Sequence, residues 1–453
     1  MKAINKEDRN SHLVPMHDWV CHLSPNMCHN PQGLVLKLGS NPRVVWDGTT
    51  CPSPDDAVMN EITPTEDEPD VTFGMAKILF YQYLYNLRVS FPTEVIFLAL
   101  ADIKACFRYP RIHPDLTGAF GFLVDDLYCL AVAMVFGSNT SSSSWEPFRR
   151  AIEKMSLVFS DDPTLVKKHK HYLNMIKWDI PPSDAEPPVK AFKCQINPGV
   201  LDPQDKQVIQ RPRIWVDDAL MAAIGVLQMK MVLASIIEAI FTIMGEPDTS
   251  LRQCPLAMDK WTALVVGEKQ LALGLILNTR KLSVSITPNY LADTLSLIQT
   301  TWHRNRKRFL AIEASRLVGK LARLTEGAPW VRYLVSFLYT SIALAFAQNK
   351  EFLMSSSAEF QELIFQTKSK NFSHRTKTSH LKVILFAIKK AARKVHHCKF
   401  QHNILPSMRE EIDFFEEALK RHSGITWESP IAFLIKRTPF ATTFGDACLD
   451  AGG

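Results

Sequence analysis

The chain has no tandem repeat, no cysteine framework and no long apolar run free of charged residues. The missing repeat excludes solenoid and propeller architectures. Nine cysteines are scattered without framework spacing, which excludes a disulfide scaffold and predicts reduced thiols. The amino terminus, Met1-Lys-Ala-Ile-Asn-Lys-Glu-Asp-Arg-Asn, is polar and lacks the apolar core of a secretory signal. An intracellular protein, cytoplasmic or nuclear and not secreted, is therefore expected. The longest apolar stretch, Ile224 to Met244, carries Gln228, Lys230 and Glu238 and has helical spacing, which predicts a buried helix and no membrane partner. His17, Cys21, His22, Cys28 and His29 cluster, but their spacing is not that of a zinc finger or knuckle. Structural zinc and scattered polar loop residues both remain open.

What is present is ordinary in bulk and uneven in detail. At 453 residues and 51.3 kDa, with 46% apolar and 22% charged residues, the chain predicts a globular protein of two or more subdomains. A net charge of +6 with basic residues concentrated late in the chain suggests a polyanionic partner touching one region.

Residues 1–35 read as an irregular extension. Leu34-Val-Leu-Lys-Leu and Arg43-Val-Val-Trp-Asp predict two short strands around a turn. Phe73 to Asn86 predicts a helix, and Thr93 to Ala101 a buried strand ending at Asp102. Gly118 to Met134 reads as a hairpin with Asp125-Asp126 at its turn, and the serine run before Trp145 as the approach to a helix reaching Phe159. Residues 160–210 look like an irregular insertion. Arg213 to Ala222 predicts a hairpin with Asp217-Asp218 at its tip, and Gln270 to Ile286 another around Asn278-Thr-Arg. Beyond Pro288 the pattern is helical until an apparent strand at Ala441 to Asp446.

Chemistry concentrates in three aspartates. Asp102 and the pair Asp217-Asp218 each close an apolar, strand-like run, so three carboxylates could meet at one sheet end with little to offset their repulsion. Hard oxygen ligands suit Mg²⁺, and two such ions can clamp the attacking and leaving oxygens of a phosphoryl transfer. The residues thus point to a nucleic-acid polymerase. A single Asp is usually a turn or cap residue, and Asp125-Asp126 illustrates how unspecific the pair alone is. A two-metal nuclease would need more carboxylates, or a base, near the three.

The order of motifs resembles a retroelement reverse transcriptase over about residues 36–345. Asp102-Ile-Lys-Ala-Cys-Phe-Arg-Tyr-Pro-Arg resembles its first catalytic motif, and Gly118-Ala-Phe-Gly-Phe through Phe136-Gly137 the hairpin leading to its substrate-positioning motif. Trp215-Val-Asp-Asp stands where the family has aromatic-x-Asp-Asp, and Leu273-Gly-Leu-Ile-Leu-Asn-Thr-Arg is similar to the primer grip. Pro42-Arg-Val-Val-Trp-Asp with Asn60 resembles the fingers. The late chain and the closing Phe444-Gly-Asp look most like the tyrosine-recombinase (DIRS-type) retrotransposon class. Two departures stand out: Trp215 where Tyr or Phe is usual, and a serine run in the substrate-positioning segment.

The resemblance implies an α+β, right-hand polymerase fold with an antiparallel palm sheet backed by helices. Fingers and palm would occupy 36–287, a helical thumb 288–345, a helical connection 346–440, and the start of an RNase H-like domain 441–453. It implies an RNA-directed DNA polymerase acting on an RNA or DNA template with primer and dNTPs, using two Mg²⁺ ions, with Mn²⁺ as a substitute. The alternative is a decayed fragment that binds nucleic acid without catalysis.

Asp102, Asp217 and Asp218 would be the catalytic metal ligands. Phe107 would be a steric gate beneath the sugar, or a core aromatic. Gly137, Arg43 and Lys260 would lie near the nucleotide, with a hairpin end and a surface arginine as the competing readings of Gly137 and Arg43. Trp215, Leu273 and Gly274 would lie along the primer–template. Arg304, Arg306, Lys307 and Arg308 would track phosphates, or serve as a solvated face or nuclear localisation signal. The basic stretch Lys368 to Lys399 has the same two readings. Asp446 would be the first carboxylate of an RNase H domain. With only seven residues beyond it, hybrid cleavage is not expected.

Overall fold

The computed structural model describes residues 13–17, 32–35, 43–46, 60, 68–124, 127–135, 137–191, 212–248, 254–332, 334–335, 338–339, 342, 401–420 and 427–435. They form a mixed assembly of helices and sheets in two compact units. One comprises Met1–Leu273, Leu277–Leu282 and Ile435–Gly453, the other Gly274–Ile276 and Ser283–Leu434.

The first unit opens with β1 (Leu13–His17), β2 (Gln32–Val35) and β3 (Arg43–Trp46). β2 and β3 pair antiparallel, Gln32 opposite Trp46 and Val35 opposite Arg43, as the sequence pattern predicts, although β2 begins two residues before the expected start at Leu34. Next come α1 (Phe73–Ser90), β4 (Ile96–Asp102), β5 (Phe122–Val124) and β6 (Leu127–Ala131). β5 and β6 form the expected hairpin, although Asp125-Asp126 lies outside the described residues. β1 pairs with β6, Leu13 opposite Ala131, so the first 35 residues are not wholly irregular. Of the zinc candidates only His17 is described, as the last residue of β1.

α1 buries Ala76, Phe80, Tyr81, Leu84, Tyr85 and Leu87. Arg88 is buried with them, and its guanidinium donates to the carbonyls of Phe91 (3.2 Å), Pro92 (3.3 Å), Glu94 (2.8 Å) and Thr279 (3.2 Å). Thr279 Oγ1 in turn donates to the carbonyl of Ile96 at 2.6 Å. The bonds to Phe91, Pro92 and Glu94 occupy backbone acceptors of the turn that launches β4 and fix it.

α2 (Ser141–Val158) begins four residues earlier than the sequence suggests. The serines are its first turn rather than an approach. Ser141 Oγ donates back to the carbonyl of Val135 (2.6 Å) and Ser143 Oγ to that of Thr140 (2.9 Å), so their hydroxyls support the helix instead of competing with it. α3 (Thr164–Lys168), α4 (Lys170–Leu173) and β7 (Lys177–Trp178) follow. Leu165, Leu173 and Ile176 belong to the main core, so residues 160–178 are not the irregular segment expected; residues 192–211 lie outside those described.

β8 (Arg213–Trp215) and β9 (Asp218–Ile224) complete an antiparallel sheet in the order β4-β9-β8. α5 (Gly225–Met244) is long and apolar enough to cross a membrane by length and composition. Here Met229, Val232, Leu233, Ile236, Ile237 and Ile240 are fully buried in the core, and α2 packs on the same helix. α6 (Met258–Thr262) leads to β10 (Val265–Val266), which pairs parallel with β7, and Gly267 bridges to Leu98 of β4. β11 (Lys269–Ala272) and β12 (Leu275–Asn278) replace the single strand expected over Gln270 to Leu277. The chain turns at Leu273-Gly274, where both residues are left-handed (φ 51° and 74°), the backbone of a tight two-residue turn.

In the second unit β13 (Ser283–Ile286), α7 (Pro288–Thr301), β14 (Arg308–Leu310), α8 (Ala311–Gly327), β15 (Gln401–Asn403), α9 (Pro406–Lys420) and β16 (Glu428–Pro430) follow in order. β13 pairs with β16 and β14 with β15, both antiparallel, while α7 packs on α9. The all-helical region expected beyond Pro288 thus also contains the short strands β14, β15 and β16. Residues 343–400, including the stretch Lys368 to Lys399, lie outside those described.

Among the described residues, the sheet edge at β8 has no further strand beside it. One face of α2 takes that place. Trp145 Nε1 donates to the carbonyl of Val216 (2.7 Å), Arg149 Nη1 to that of Ile214 (3.3 Å), and Glu153 Oε1 accepts from the amide of Ile214 (2.7 Å). Arg149 also pairs with Glu146 (2.7 Å) and Glu153 (2.6 Å), with the side chains of Arg149 and Glu146 only 4% and 1% exposed. Breaking a buried pair from one side strands the other charge. Arg149→Met should therefore lower the free energy of urea unfolding by about 3–5 kcal/mol, whereas a loss below about 1 kcal/mol would make the pair equivalent to a surface one.

Candidate active site

β4 and β9 run in register to their shared end, where Asp102 lies directly opposite Asp218. Trp215 closes β8 opposite the same Asp218, and Val216-Asp217 form the connecting turn. All three carboxylates therefore occupy one sheet end. Asp217 lies in the turn, and Asp218 opens the strand rather than sharing the tip.

The turn is held from two sides. Val216 adopts φ 58°, a left-handed conformation that a β-branched residue rarely occupies without support. Its carbonyl is fixed by the Trp145 indole, and the carbonyl of Asp217 accepts from the amide of Ile103 at 2.8 Å. The segment that follows β4 and the turn that precedes β9 thus bind each other, and the turn binds α2 as well.

The crowding of charge bears on the Asp218 carboxyl. Burial, then the charges of Asp217 and Asp102, push the Asp218 carboxyl up to about 6, against a smaller opposing pull from Lys260. Lys260, at the end of the short α6, forms an ion pair with Asp102 while its side chain stays 55% exposed. Burial draws the Lys260 ammonium down, but the hydrogen bond to Asp102 and the field of all three aspartates outweigh it and raise the ammonium above its usual range. The thiol of Cys106, buried behind the cluster, is pushed strongly up by burial and then by Asp217.

Three carboxylates are the donor set that Mg²⁺ prefers, and their mutual repulsion is what a divalent cation relieves. The site is not preassembled. Among the described residues no three or more His, Cys, Asp or Glu side chains are grouped as ligands around one point. Lys260 supplies the counter-charge on Asp102, so cation binding there requires this ammonium to move aside.

The other residues singled out in the sequence distribute as follows. Phe107 lies on a 3-10 turn just after Asp102, partly buried against the main core. The ring of Trp215 meets Phe73 edge-on at 5.9 Å, with Lys77 Nζ 5.8 Å from its centroid. Gly137 is exposed with φ 111°, a conformation open only to glycine at little cost. Arg43 opens β3. Leu273 and Gly274 form the turn already described, and a Cβ on Gly274 would stand 2.9 Å from Arg323 Nη2.

The basic segment Arg304 to Arg308 lies in a loop and strand rather than on a helix. Arg304, Lys307 and Arg308 are exposed, with Arg304 3.3 Å from Asp413. Arg306 departs from the phosphate-tracking expectation. Its guanidinium sits 5.5 Å from the Trp302 ring, donates to the carbonyl of Arg308 at 2.6 Å and pairs with Glu313, so it ties the loop to α8. Asp446 lies outside the described residues.

Sequence reasoning missed Trp145, Glu146, Arg149 and Glu153 as the support of the site. Their signal was present as Trp145, Arg149 and Glu153 at four-residue intervals, which places three hydrogen-bonding side chains on one helix face.

No protein-family model matches the chain, and no curated protein matches it. Among solved structures it is similar to three of foamy viral protease-reverse transcriptase. For the dRH form in complex with double-stranded DNA the identity is 10% and the TM-score 0.40, covering 92% of this chain and 46% of that one. For the complex with an RNA/DNA hybrid the values are 10%, 0.42, 92% and 36%. For a further complex with double-stranded DNA they are 12%, 0.38, 85% and 56%. The chain spans about half or less of the length of the first two. Likenesses of this size assign no residue a role; the roles proposed for the carboxylates rest on this chain's own geometry.

The raised Asp218 carboxyl has a sign that can be tested. A carboxyl with a folded pKa of about 6, against 3.8 in the unfolded chain, binds its proton more tightly when folded. Its ionisation therefore removes stability as pH rises from about 4 to 6, and the deficit is complete above that window. In metal-free buffer Asp218→Asn should melt at a higher temperature than the parent at pH 7, with the gap closing towards pH 4. A gap independent of pH would show that the carboxylates do not crowd one another.

Proposed function

We propose that the chain is a nucleotidyltransferase of the RNA-directed DNA polymerase type, extending a primer 3′-hydroxyl on an RNA or DNA template with dNTPs. The observation that carries this reading is the opposition of Asp102 and Asp218 across one strand pair with Asp217 in the adjoining turn. It is supported by the resemblance of the ordered motifs to retroelement reverse transcriptases, most of all the tyrosine-recombinase (DIRS-type) retrotransposon class. A cytoplasmic or nuclear location accords with the same reading.

Asp102, Asp217 and Asp218 would hold two Mg²⁺ ions, which when bound lower the pKa of the primer hydroxyl and neutralise the leaving pyrophosphate. Each remaining role belongs to a side chain or backbone group. Lys260, displaced from Asp102, stays within reach of the site as a tethered cation for the triphosphate. Gly137 offers an exposed backbone, without a side chain, to the incoming nucleotide. Phe107, half-buried after Asp102, limits the space beneath the sugar. The exposed Arg304, Lys307 and Arg308 contact backbone phosphates by charge, which binds any sequence.

A second reading, a decayed fragment that binds nucleic acid without polymerising, is favoured by one observation: Lys260 already neutralises Asp102. Primer extension separates the two. The parent should extend a primed template with Mg²⁺ or Mn²⁺, and Asp102→Asn or Asp217→Asn should each reduce the rate by about a thousandfold or more, as expected when charge stabilisation at a reacting phosphate is lost. Extension that survives Asp217→Asn would overturn the assignment, and a parent that binds the primed template but never extends it would favour the second reading.

A further inference from the structure

The segment around Gly137 is gripped by a residue far away in sequence. Asn60 Nδ2 donates to the carbonyl of Gly137 at 2.8 Å, and Asn60 Oδ1 accepts from the amide of Asn139 at 3.0 Å. The grip is reciprocal, because Asn139 Nδ2 donates to the backbone carbonyl of Asn60 at 2.9 Å. A side-chain amide, with one donor and one acceptor facing the same way, suits this paired contact with backbone N–H and C=O. No other side chain of that size presents both in this geometry.

The grip continues to the carboxylates through covalent and hydrogen-bonded steps. Ser138 Oγ and Thr140 Oγ1 lie 2.8 Å apart, and Ser141 Oγ returns to the carbonyl of Val135, so Gly137 sits in a loop tied at both its ends. That loop runs directly into α2, whose Trp145 holds the Val216 carbonyl in the turn bearing Asp217. On its other side, Arg111 bridges Ala133, joining the loop's approach to the segment that follows Asp102. Asn60 therefore closes a path that has the carboxylate turn at one end and the exposed Gly137 backbone at the other.

We propose that Asn60 is a positioning residue for the nucleotide: it sets the distance of the Gly137 backbone from the carboxylates without touching the reacting atoms. This rests on the polymerase reading above and adds to it a residue that the three carboxylates do not predict. Loosening the grip should weaken capture of the incoming dNTP and leave the chemical step of a captured one largely intact.

The test is steady-state primer extension with one dNTP varied, paired with equilibrium binding of a fluorescent dNTP to the protein on a primer–template ending in a dideoxynucleotide. Asn60→Ala should raise the KM and the dissociation constant for the dNTP about fivefold, the scale of one net hydrogen bond lost at an exposed site, while kcat changes less than about twofold. Asn60→Asp keeps the acceptor for the Asn139 amide but opposes the Gly137 carbonyl with another oxygen, so it should behave like Asn60→Ala. Asn139→Ala, which leaves both Asn60 side-chain bonds in place, should have a smaller effect, and thermal melting checks that each variant folds. A parent that captures the dNTP while every variant captures it equally well overturns this inference alone. So does a fall in kcat at constant KM. A folded parent that captures no dNTP overturns the polymerase reading and this inference with it.

Discussion

The first unit depends on how the open edge of its central sheet is satisfied. β8 is only three residues long and, among the described residues, has one strand neighbour, so its outer N–H and C=O groups would otherwise be left to solvent or to another chain. α2 meets them with side chains at Trp145, Arg149 and Glu153. The arrangement does more than cap an edge. Because β8 is joined to β9 by the two residues Val216 and Asp217, whatever fixes β8 also fixes the turn that presents the acidic pair. A strained Val216 is retained there because the Trp145 indole and the in-register strands hold it in place.

The same construction explains the electrostatics. β4 and β9 carry almost uninterrupted small and apolar residues, Ile96 to Ala101 and Ala219 to Ile224, and these pack between α5 and the rest of the core. Such strands have no room for charge except at their ends, so Asp102, the last residue of β4, and Asp218, the first of β9, emerge together at the boundary of the core. Burial behind and like charge beside them raise the Asp218 carboxyl, and Lys260 is drawn to Asp102 from α6. A cluster that needs a cation at rest is a poor stabilising device.

The strands that carry the aspartates were legible because buried strands must be apolar and must end where polarity begins. The fold's errors have equally physical sources. The run Gln270 to Leu277 reads as one strand because nothing in the side-chain pattern announces a left-handed Leu273 before Gly274. Residues 160–178 read as loop because α3, α4 and β7 are too short to show a period, although Leu165 and Leu173 sit in the core. Arg306 reads as a surface cation alongside Arg304, yet its neighbours Trp302 and Glu313, one on each side in sequence, turn it inward. At the candidate site the identities of the three aspartates were legible, but the Arg149 network and the Asn60 contact depend on tertiary proximity that no local spacing reveals.

The central claim is that Asp102, Asp217 and Asp218 together bind divalent cations at the end of the β4–β9 pair. Localised radical cleavage tests it most directly: Fe²⁺ with ascorbate and peroxide cuts the backbone beside the place where the ion binds, and mapping the fragments locates it. Cuts near Asp102 and near Asp217, suppressed by excess Mg²⁺ and absent in Asp102→Asn, are the predicted result. Cuts confined to other segments, or cuts at these two that Mg²⁺ does not suppress, would contradict it.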